Sequence, residues 1–388
     1  MKIAAIDVFT VRLPFRFSFG HSLAKRCSSE NVVVRVRLSD GTEGWGEGVP
    51  RDYVTGEQSG SAASRIADQY APRFAGLDVC KPEAVLSALA ETFTELGLER
   101  RASGASWCAL ELAILDAVAR ARRLNVADWL GPARRAGVYY GAVVPFCGQR
   151  AFWAVLAFYK FYGFRTVKVK VGRDLDQDVK RIELARRFLG PAVVLRVDAN
   201  CAWSAEQALE AAERMRPFAV ASYEQPVPAD DIAGLRRISE SIPEEVVVDE
   251  SLCTLEQART LIGERACRGF NVRVSKVGGL LAARRMVDLA RRSGLSVHLG
   301  AQVGETGILS AAARTLAVIE DPMSNYEGSD NTFLLKKDLT SEDLTVGLKG
   351  YGRLLSGYGF AVTVRPDRLA ELAVTASELP SFTPAPST

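Results

Sequence analysis

The sequence predicts an α/β protein with a modified TIM (β/α)7–8 barrel and an N-terminal α+β capping domain that the C-terminal segment completes. Three observations predict this fold class. Short β-rich runs alternate with helical runs seven times from about residue 142, which indicates a parallel barrel. Strand-like alternation followed by helical spacing precedes them, which indicates a separate α+β unit. No G-x-G-x-x-G motif stands at a strand-to-helix turn, so an open doubly wound sheet is disfavoured.

Residues 1–135 form the predicted capping domain. It begins with a β-meander that contains IDVFTVRLPF, a polar loop FSFGHSLAKRCSSE and the hairpin NVVVRVRL-SDGT-EGWGEG. Asp40 and Gly41 supply the predicted hairpin turn. From about residue 57 to 130 the apolar residues recur every three or four positions, so helices are expected to follow the meander.

Residues 136–325 form the predicted barrel, and residues 326–388 the predicted C-terminal segment. The first βα unit is VVPFC with QRAFWAVLAFYKFYG, and the seventh is SVHLGAQVG with ILSAAARTLAVIE. The run SNYEGS would supply an eighth strand. The chain ends in SELPSFTPAPST, whose last residues we expect to be disordered, while the part before them is expected to pack on the capping domain.

Composition and charge disfavour several function classes. The formal net charge is +3 over 388 residues and no long Lys/Arg block occurs, so neither nucleic acid nor an anionic membrane is an expected partner. No run of about 20 apolar residues and no signal-peptide pattern occurs. The seven cysteines are scattered and never form C-x-x-C, which is typical of reduced thiols. We therefore expect a cytoplasmic protein.

A charged residue stands at the predicted C-terminal end of six consecutive strands. These residues are Lys170, Asp198, Glu224, Asp249, Lys276 and Glu305. They recur at intervals of 25 to 29 residues, about one βα unit, and so occupy equivalent places at the barrel mouth, where barrel enzymes carry their active sites. A single Asp after a strand is most often a helix N-cap, but six charges in succession indicate a functional site.

The order of these charges predicts a metal-assisted proton transfer. Asp198, Glu224 and Asp249 would repel one another in a low-dielectric mouth unless a hard divalent cation joined them, and Mg²⁺ fits oxygen ligands better than zinc does. Neighbouring positive charge could lower the pKa of a flanking lysine from about 10 toward 7 or 8, which would make it a usable base. Lys168, roughly 7 Å from Lys170 on one strand face, could lower the pKa of Lys170 in this way.

The ordered motifs resemble the enolase superfamily. They are Lys168-Val169-Lys170, Asp198-Ala199-Asn200, Glu224-Gln225-Pro226, Asp249-Glu250-Ser251, Ser275-Lys276-Val277-Gly278-Gly279 and Gly304-Glu305-Thr306. The set is most similar to the muconate lactonizing enzyme (muconate cycloisomerase-like) subgroup, and the resemblance covers nearly the whole chain. It implies an enzyme that removes the proton α to a carboxylate through an enediolate, with Mg²⁺, for which Mn²⁺ can substitute.

The resemblance also implies roles for individual residues. Asp198, Glu224 and Asp249 would bind the metal. Lys170 and Lys276 would form the acid/base pair, with Lys168 orienting the substrate carboxylate and tuning Lys170. Glu305, Asn200, Glu250, His21 and Tyr53 would contact the substrate; His21 lies in the polar loop, which resembles the specificity loop of the family, and Tyr53 in a second cap loop.

The net reaction stays open between racemisation or epimerisation, cycloisomerisation and β-elimination. An isomerase is favoured, because two opposed lysines exchange protons on both faces of the substrate. GAQVGET stands where relatives acting on dipeptides carry an acidic D-x-D-like element, so dipeptide epimerisation is disfavoured.

Two alternatives belong to other function classes. One is a lyase, either o-succinylbenzoate synthase-like or an acid-sugar dehydratase using His298. That histidine precedes Glu305 by seven residues and is therefore expected to be structural. The other is a non-catalytic carboxylate-binding barrel. The expected partner is a small-molecule carboxylate substrate, and barrels of this kind are expected to form homo-oligomers.

Overall fold

The computed structural model describes residues 1–20 and 25–374. The strands are β1 Ile3–Gly20, β2 Lys25–Leu38, β3 Glu43–Gly48, β4 Gly137–Tyr139, β5 Ala142–Val144, β6 Thr166–Lys170, β7 Val194–Asp198, β8 Val220–Glu224, β9 Glu245–Val248, β10 Gly269–Val272, β11 Ser296–Leu299, β12 Asn325–Tyr326 and β13 Tyr351–Arg353. The predicted disorder of the last residues concerns residues 375–388, which lie outside the described part of the chain, as does His21.

Helices follow nearly every strand of the barrel. The α-helices are α1 Asp52–Thr55, α2 Ser59–Arg65, α3 Pro82–Glu95, α4 Gly104–Ala121, α5 Val126–Leu130, α6 Gln149–Tyr162, α7 Leu175–Leu189, α8 Ala205–Met215, α9 Ile232–Ser241, α10 Leu255–Gly263, α11 Val274–Val277, α12 Gly279–Arg292, α13 Gly307–Ile319, α14 Asn331–Leu334 and α15 Pro366–Leu372. None of the helices in residues 1–20 and 25–374 is long and apolar enough to cross a membrane.

Strands β5 to β12 form one eight-stranded parallel sheet in which each strand pairs with its neighbours in chain order. The backbone N–H of Gly141, just before β5, donates to the carbonyl of Tyr326 in β12 at 2.8 Å and links the two ends of the sheet. The predicted α/β barrel is therefore confirmed, and β12 in SNYEGS is its eighth strand.

The barrel strands are buried on both faces, as β6 illustrates. Val167 and Val169 are fully buried, while Lys168 and Lys170 on the other face are only 2% and 6% exposed. Because both lysines form ion pairs with residues of other barrel strands, their face is the interior of the barrel. This strand carries charge where a parallel strand is ordinarily apolar.

The cap begins with an antiparallel sheet in the order β1-β2-β3. Its predicted hairpin turn is confirmed, since Gly41 adopts φ +86° and the Leu38 N–H donates to the Thr42 carbonyl at 2.8 Å. The predicted polar loop, in contrast, is mostly strand: Phe19 pairs with Arg26 as β1 and β2 continue past it. Polar side chains did not prevent strand pairing there, because the hydrogen bonds between strands join backbone N–H and C=O groups.

Helix α4 lies against β3 at very short range. Gly44, Gly46 and Gly48 face it, and a Cβ atom added at these positions would lie 1.9–2.1 Å from backbone atoms of α4. Because the three glycines alternate along the strand, they form one smooth face that admits the helix backbone.

The chain after the barrel returns to β1. The Lys336 N–H donates to the Pro14 carbonyl and the Val374 N–H to the Thr10 carbonyl, both at 2.9 Å. Such contacts agree with a C-terminal segment that completes the cap. The three-domain division, the cytoplasmic location and the homo-oligomeric state stay predictions.

Gly46→Ala is expected to lower the free energy of unfolding by about 1–3 kcal/mol, because its methyl group would press α4 away from β3. Urea unfolding followed by circular dichroism measures this. Gly263→Ala in α10 is the matched control, since a Cβ there meets nothing within 4 Å. Equal stability of the two variants would contradict the close-packing role of Gly46.

Candidate active site

Four of the predicted charges converge at the C-terminal end of the barrel sheet. Lys170 in β6 stands opposite Asp198 in β7, and Asp198 stands opposite Glu224 in β8. Asp249 follows the last residue of β9 directly. Neighbouring strands of a sheet lie about 4.8 Å apart, so side chains on equivalent strand ends are held within reach of one another.

Below them, two cations and two carboxylates close a ring inside the barrel. Lys168 Nζ donates to Glu224 Oε1 at 2.9 Å and to Glu327 Oε2 at 2.6 Å. Lys168 Nζ also donates to Glu224 Oε2 at 3.1 Å, and Arg196 donates to Glu224 Oε2 at 2.9 Å and to Glu327 Oε1 at 2.6 Å. We call Lys168, Glu224, Arg196 and Glu327 the ion-pair ring; it joins β6, β7 and β8 to the residue that follows β12.

The ring holds all four groups in their charged forms. Burial lowers the pKa of Lys168, but Glu224 and Glu327 outweigh it and the pKa is raised above its usual value. Burial raises the pKa of Glu224, but Lys168 and Arg196 outweigh it and the pKa lies well below its usual value. Lys168 therefore keeps a positive charge two residues from Lys170, as the alternation of the strand predicted.

Lys170 lies one layer higher, at the mouth. Its Nζ donates to Asp198 Oδ2 at 2.6 Å and to Asn200 Oδ1 at 2.7 Å. Asn200 and Cys201 adopt φ +43° and +65° after β7, a left-handed turn that non-glycine residues seldom take and that is typical of functional sites. In return, Asn200 Nδ2 donates to Glu250 Oε1 at 2.9 Å, so the turn links the ends of β7 and β9.

Gln225 positions Asp249 and was not predicted as a site residue. It follows β8 with φ +35°, and its Oε1 accepts the N–H groups of Asp249 at 2.9 Å and Ser251 at 3.1 Å. Its Nε2 donates to Ser251 Oγ at 2.7 Å. The Glu224-Gln225-Pro226 motif thus supplies one member of the ion-pair ring, Glu224, and the side chain of Gln225 that fixes the backbone after β9.

Two predicted residues do not stand at strand ends. Strand β10 ends at Val272, and Lys276 lies beyond it in the short helix α11, where it is fully buried. Its Nζ donates to the carbonyl and Oδ1 of Asp249, both at 2.6 Å, and to the Asn271 carbonyl at 2.9 Å. Glu305 lies six residues past the end of β11, where it accepts the Gln302 N–H at 2.5 Å, and burial raises its pKa to about 8.

Arg273 occupies the strand-end position expected for Lys276. It continues the extended chain after Val272, and its guanidinium contacts Asp249 Oδ2 and donates to Gln302 Oε1 at 3.0 Å. Burial first, and then the Arg273 charge, lower the pKa of Lys276 to about 7. With β10 ending at Val272, Asn271 and Arg273 share one face of the extended chain and Lys276 lies beyond the strand.

His298 lies away from the mouth. It is buried within β11, and its Nε2 lies 3.0 Å from Oε2 of Glu245, the first residue of β9 and hence at the opposite end of the barrel. Burial, followed by the Arg196 charge, lowers the pKa of His298. This position supports the expected structural role and disfavours His298 as a base acting on substrate.

A cavity of about 450 Å³ opens above the ion-pair ring. Its charged inner end is lined by Lys168, Lys170, Asn200, Glu250, Arg273 and Glu327. Of the predicted site residues, Lys168, Lys170, Asn200, Glu250 and Tyr53 line it, whereas Lys276 and Glu305 are not among the described lining residues. Sequence reasoning missed Arg273, Arg196 and Glu327, although each follows the same inward alternation as Lys168 and Lys170.

The outer part of the cavity is aromatic. It is lined by Phe17, Phe19, Tyr53, Phe158, Tyr159 and Phe333. These rings come from β1, α1, α6 and α14, so the cap and the barrel build the wall together. Asp330 also faces this space, and the surrounding protein raises the pKa of its carboxyl by desolvation.

The predicted metal ligands are engaged by protein cations. Asp198 pairs with Lys170, Glu224 with Lys168, and Asp249 with Lys276. As the described side chains stand, no three carboxylate, imidazole or thiolate groups are placed to hold a metal ion.

The donor chemistry nevertheless fits a hard divalent cation. Asp198, Glu224 and Asp249 offer oxygen ligands only, and they are fully buried at three consecutive strand ends. Beside them, Glu250 Oε2 is buried with no hydrogen-bond partner among the described residues. Asp198, Glu224 and Asp249 are therefore the residues that would hold such a cation.

Comparison with known proteins agrees with this architecture. Residues 154–368 match the family model described as enolase C-terminal domain-like, and residues 3–131 match the mandelate racemase / muconate lactonizing enzyme N-terminal domain. The L-Ala-D/L-Glu epimerase of Bacillus subtilis is 28% identical, with 89% of this chain and 92% of that protein covered. The o-succinylbenzoate synthase of the same organism is 24% identical, with 95% of each covered.

A solved structure gives the same result. The crystal structure of N-succinyl Arg/Lys racemase from Bacillus cereus superposes with a TM-score of 0.88 at 25% identity, covering 97% of this chain and 99% of that one. The resemblance that the ordered motifs indicate is confirmed by these matches.

Glu327→Gln is expected to lower the free energy of unfolding by about 3 kcal/mol or more, because Lys168 and Arg196 would each lose a buried carboxylate partner. Urea unfolding measures this. Glu240→Gln, which breaks the exposed pair with Arg236, is the matched control and should leave the unfolding midpoint unchanged. A Glu327→Gln protein as stable as that control would show that the ring does not stabilise the barrel.

Proposed function

Because the chain belongs to the enolase superfamily, we propose that it is a Mg²⁺-dependent enzyme that removes the proton α to the carboxylate of a small-molecule substrate. The observation that carries the proposal is the position of Lys170. Its ammonium nitrogen lies at the cavity wall, within hydrogen-bonding distance of Asp198 and Asn200 and directly above the ion-pair ring.

Lys170 is the proposed base. It lines the cavity, and Asp198 and Asn200 orient its Nζ. Lys168, whose glutamate partners keep it charged, lies on the same strand face two residues away. Lys168 itself is held by two glutamates, which suits an electrostatic role better than proton transfer.

Asp198, Glu224 and Asp249 would hold the divalent cation. When bound, the cation would supply positive charge that stabilises negative charge developing on the substrate carboxylate. The protein contributes the orientation of these carboxylates: Lys168 and Arg196 fix Glu224, and Gln225 fixes the backbone at Asp249.

The cavity supports a substrate that joins a carboxylate to an uncharged apolar group. Its described lining includes three cations, Lys168, Lys170 and Arg273, each already paired with a carboxylate at the inner end. The outer part offers aromatic rings and the carboxyl group of Asp330. Among the described lining residues, a second anionic group on the substrate would find no further cation and would approach Asp330.

The relatives include both isomerases and a lyase, so the proposal concerns removal of the α-proton, the step that these reactions share. His298 is hydrogen-bonded to Glu245, the first residue of β9, and is not among the described residues that line the cavity, which counts against an acid-sugar dehydratase that uses it as the base. A non-catalytic binding barrel is less well supported, because Lys170 and the three carboxylates are all present at the mouth.

Lys170→Met is expected to abolish exchange of the substrate α-proton with solvent, because the side chain loses its only proton acceptor. Proton NMR in D₂O with Mg²⁺, over a panel of N-acyl amino acids, dipeptides and muconates, follows the loss of the α-proton signal. The rate should fall by about 100-fold or more. Lys180→Met, at an exposed position of α7, is the control and should exchange the α-proton at the native rate. Removal of the metal with EDTA should abolish exchange by the native protein. A Lys170→Met protein that exchanges at the native rate would refute the assignment.

Among N-acetyl amino acids, the leucine and phenylalanine derivatives are expected to exchange about tenfold faster, in kcat/KM, than the glutamate derivative. A difference of about 1.4 kcal/mol accounts for that ratio, because the second carboxylate would be desolvated beside Asp330 without a cation. The same NMR assay at matched concentrations measures the preference. Faster exchange of the glutamate derivative would contradict the apolar assignment of the outer cavity.

A further inference from the structure

The wall of the cavity opposite Lys170 carries an arginine. The barrel sheet has eight strands in chain order, and Gly141 and Tyr326 link its ends, so β6 and β10 lie four strands apart on opposite sides of the mouth. Lys170 ends β6, and Arg273 follows β10. Both line the same cavity. The cation that faces Lys170 across the substrate space is therefore Arg273.

Lys276, the other candidate for that wall, is turned away from the cavity. It lies in helix α11, past the end of β10, and its ammonium donates to the Asp249 carbonyl, Asp249 Oδ1 and the Asn271 carbonyl. Those three bonds use all the donors of an ammonium group. Its side chain is fully buried. Lys276 therefore holds Asp249 and is not among the described residues that line the cavity, whereas Arg273 is.

Arg273 offers charge and donors but no proton acceptor. A guanidinium has five N–H donors, no lone pair available for a proton, and keeps its charge at every pH at which proteins are folded. The Arg273 guanidinium contacts Asp249 Oδ2 and Gln302 Oε1, while its Nε is buried with no hydrogen-bond partner among the described residues. It can stabilise negative charge on a substrate, but it cannot take the α-proton.

We propose that this protein exchanges protons on one face of its substrate only, with Lys170 as the single base and Arg273 as a fixed positive charge on the opposite face. The proposal rests on the proposed function and narrows it. The Cα–H bond breaks, its proton passes to Lys170 Nζ, and the electron pair moves into the carboxylate as an enediolate.

The enediolate can then react in two ways that conserve atoms and charge. Lys170 can return the proton to Cα on the same face, which restores the starting configuration. Alternatively, the enediolate expels an oxygen leaving group from Cβ, the Cβ–O bond breaks, and the leaving oxygen takes the proton from Lys170, so that an unsaturated carboxylate is formed. Net racemisation would need a proton donor on the face of Arg273. The inferred net reaction is therefore β-elimination of an oxygen substituent or its reverse, which includes cycloisomerisation.

The stereochemistry of deuterium exchange tests this inference. Enantiopure N-acyl amino acids are incubated with the native enzyme and Mg²⁺ in D₂O, and chiral chromatography with mass detection separates exchange from inversion. Deuterium should enter at Cα with retention, and inversion should be at least about 100-fold slower than exchange, since a missing general base costs that factor or more. Inversion at a rate close to exchange would overturn the inference and leave the proposed function standing. No exchange in any carboxylate would overturn both.

Two substitutions at Arg273 distinguish the gain of a second base on that wall from a general loss of activity. Arg273→Lys places an amine on the opposite wall and should raise the ratio of inversion to exchange by about tenfold or more. Arg273→Met removes the charge and should slow exchange with retention unchanged. If Arg273→Lys folds, as circular dichroism reports, and exchanges with retention only, position 273 does not face Cα and the inference fails.

Discussion

The ion-pair ring of Lys168, Glu224, Arg196 and Glu327 is the interaction on which the arrangement of the mouth depends. An unpaired charge in a protein interior costs several kcal/mol, so none of the four can be buried without the others. Each glutamate binds both cations, and Asn271 Nδ2 adds a further bond to Glu224 Oε1 at 2.8 Å. The ring therefore fixes the side chains beneath the site, and the metal-ligand candidate Glu224 is part of it.

The cap is held over this mouth by a second set of buried polar contacts. Glu47 in β3 accepts the N–H groups of Thr306 and Leu309, both at 3.0 Å, in the first turn of α13, and Asn31 Nδ2 at 2.6 Å. Burial raises the pKa of Glu47 to about 7, and those donors oppose the shift. A carboxylate at a helix N-terminus also complements the helix dipole. These contacts tie β3 to α13, and aromatic rings of β1 and α1 line the same cavity as Lys170, so the cavity combines charged and apolar lining.

Much of this could be predicted from local pattern. The spacing of 25 to 29 residues between strand-end charges and the alternation in TVKVKVG need only the period of a strand and of a βα unit, so the barrel and the inward lysines followed from them. The extent of β1 and β2 through the predicted polar loop could not be read in this way, because the ladder there joins backbone groups and does not depend on an apolar side-chain pattern. Glu327 was missed for a different reason: its partners Lys168 and Arg196 lie 159 and 131 residues away.

The sequence by itself determined that lysines and carboxylates gather at one end of a barrel, because a strict βα repeat brings equivalent positions to the same rim. Only the tertiary structure decided which cation faces Lys170. The motif Ser275-Lys276-Val277-Gly278-Gly279 suggested Lys276, but β10 ends at Val272 and the turn of α11 directs Lys276 beneath Asp249. Arg273, still on the extended chain, faces the cavity instead. A difference of three residues in where a strand stops changes the group opposite the base from a proton donor and acceptor into a fixed charge.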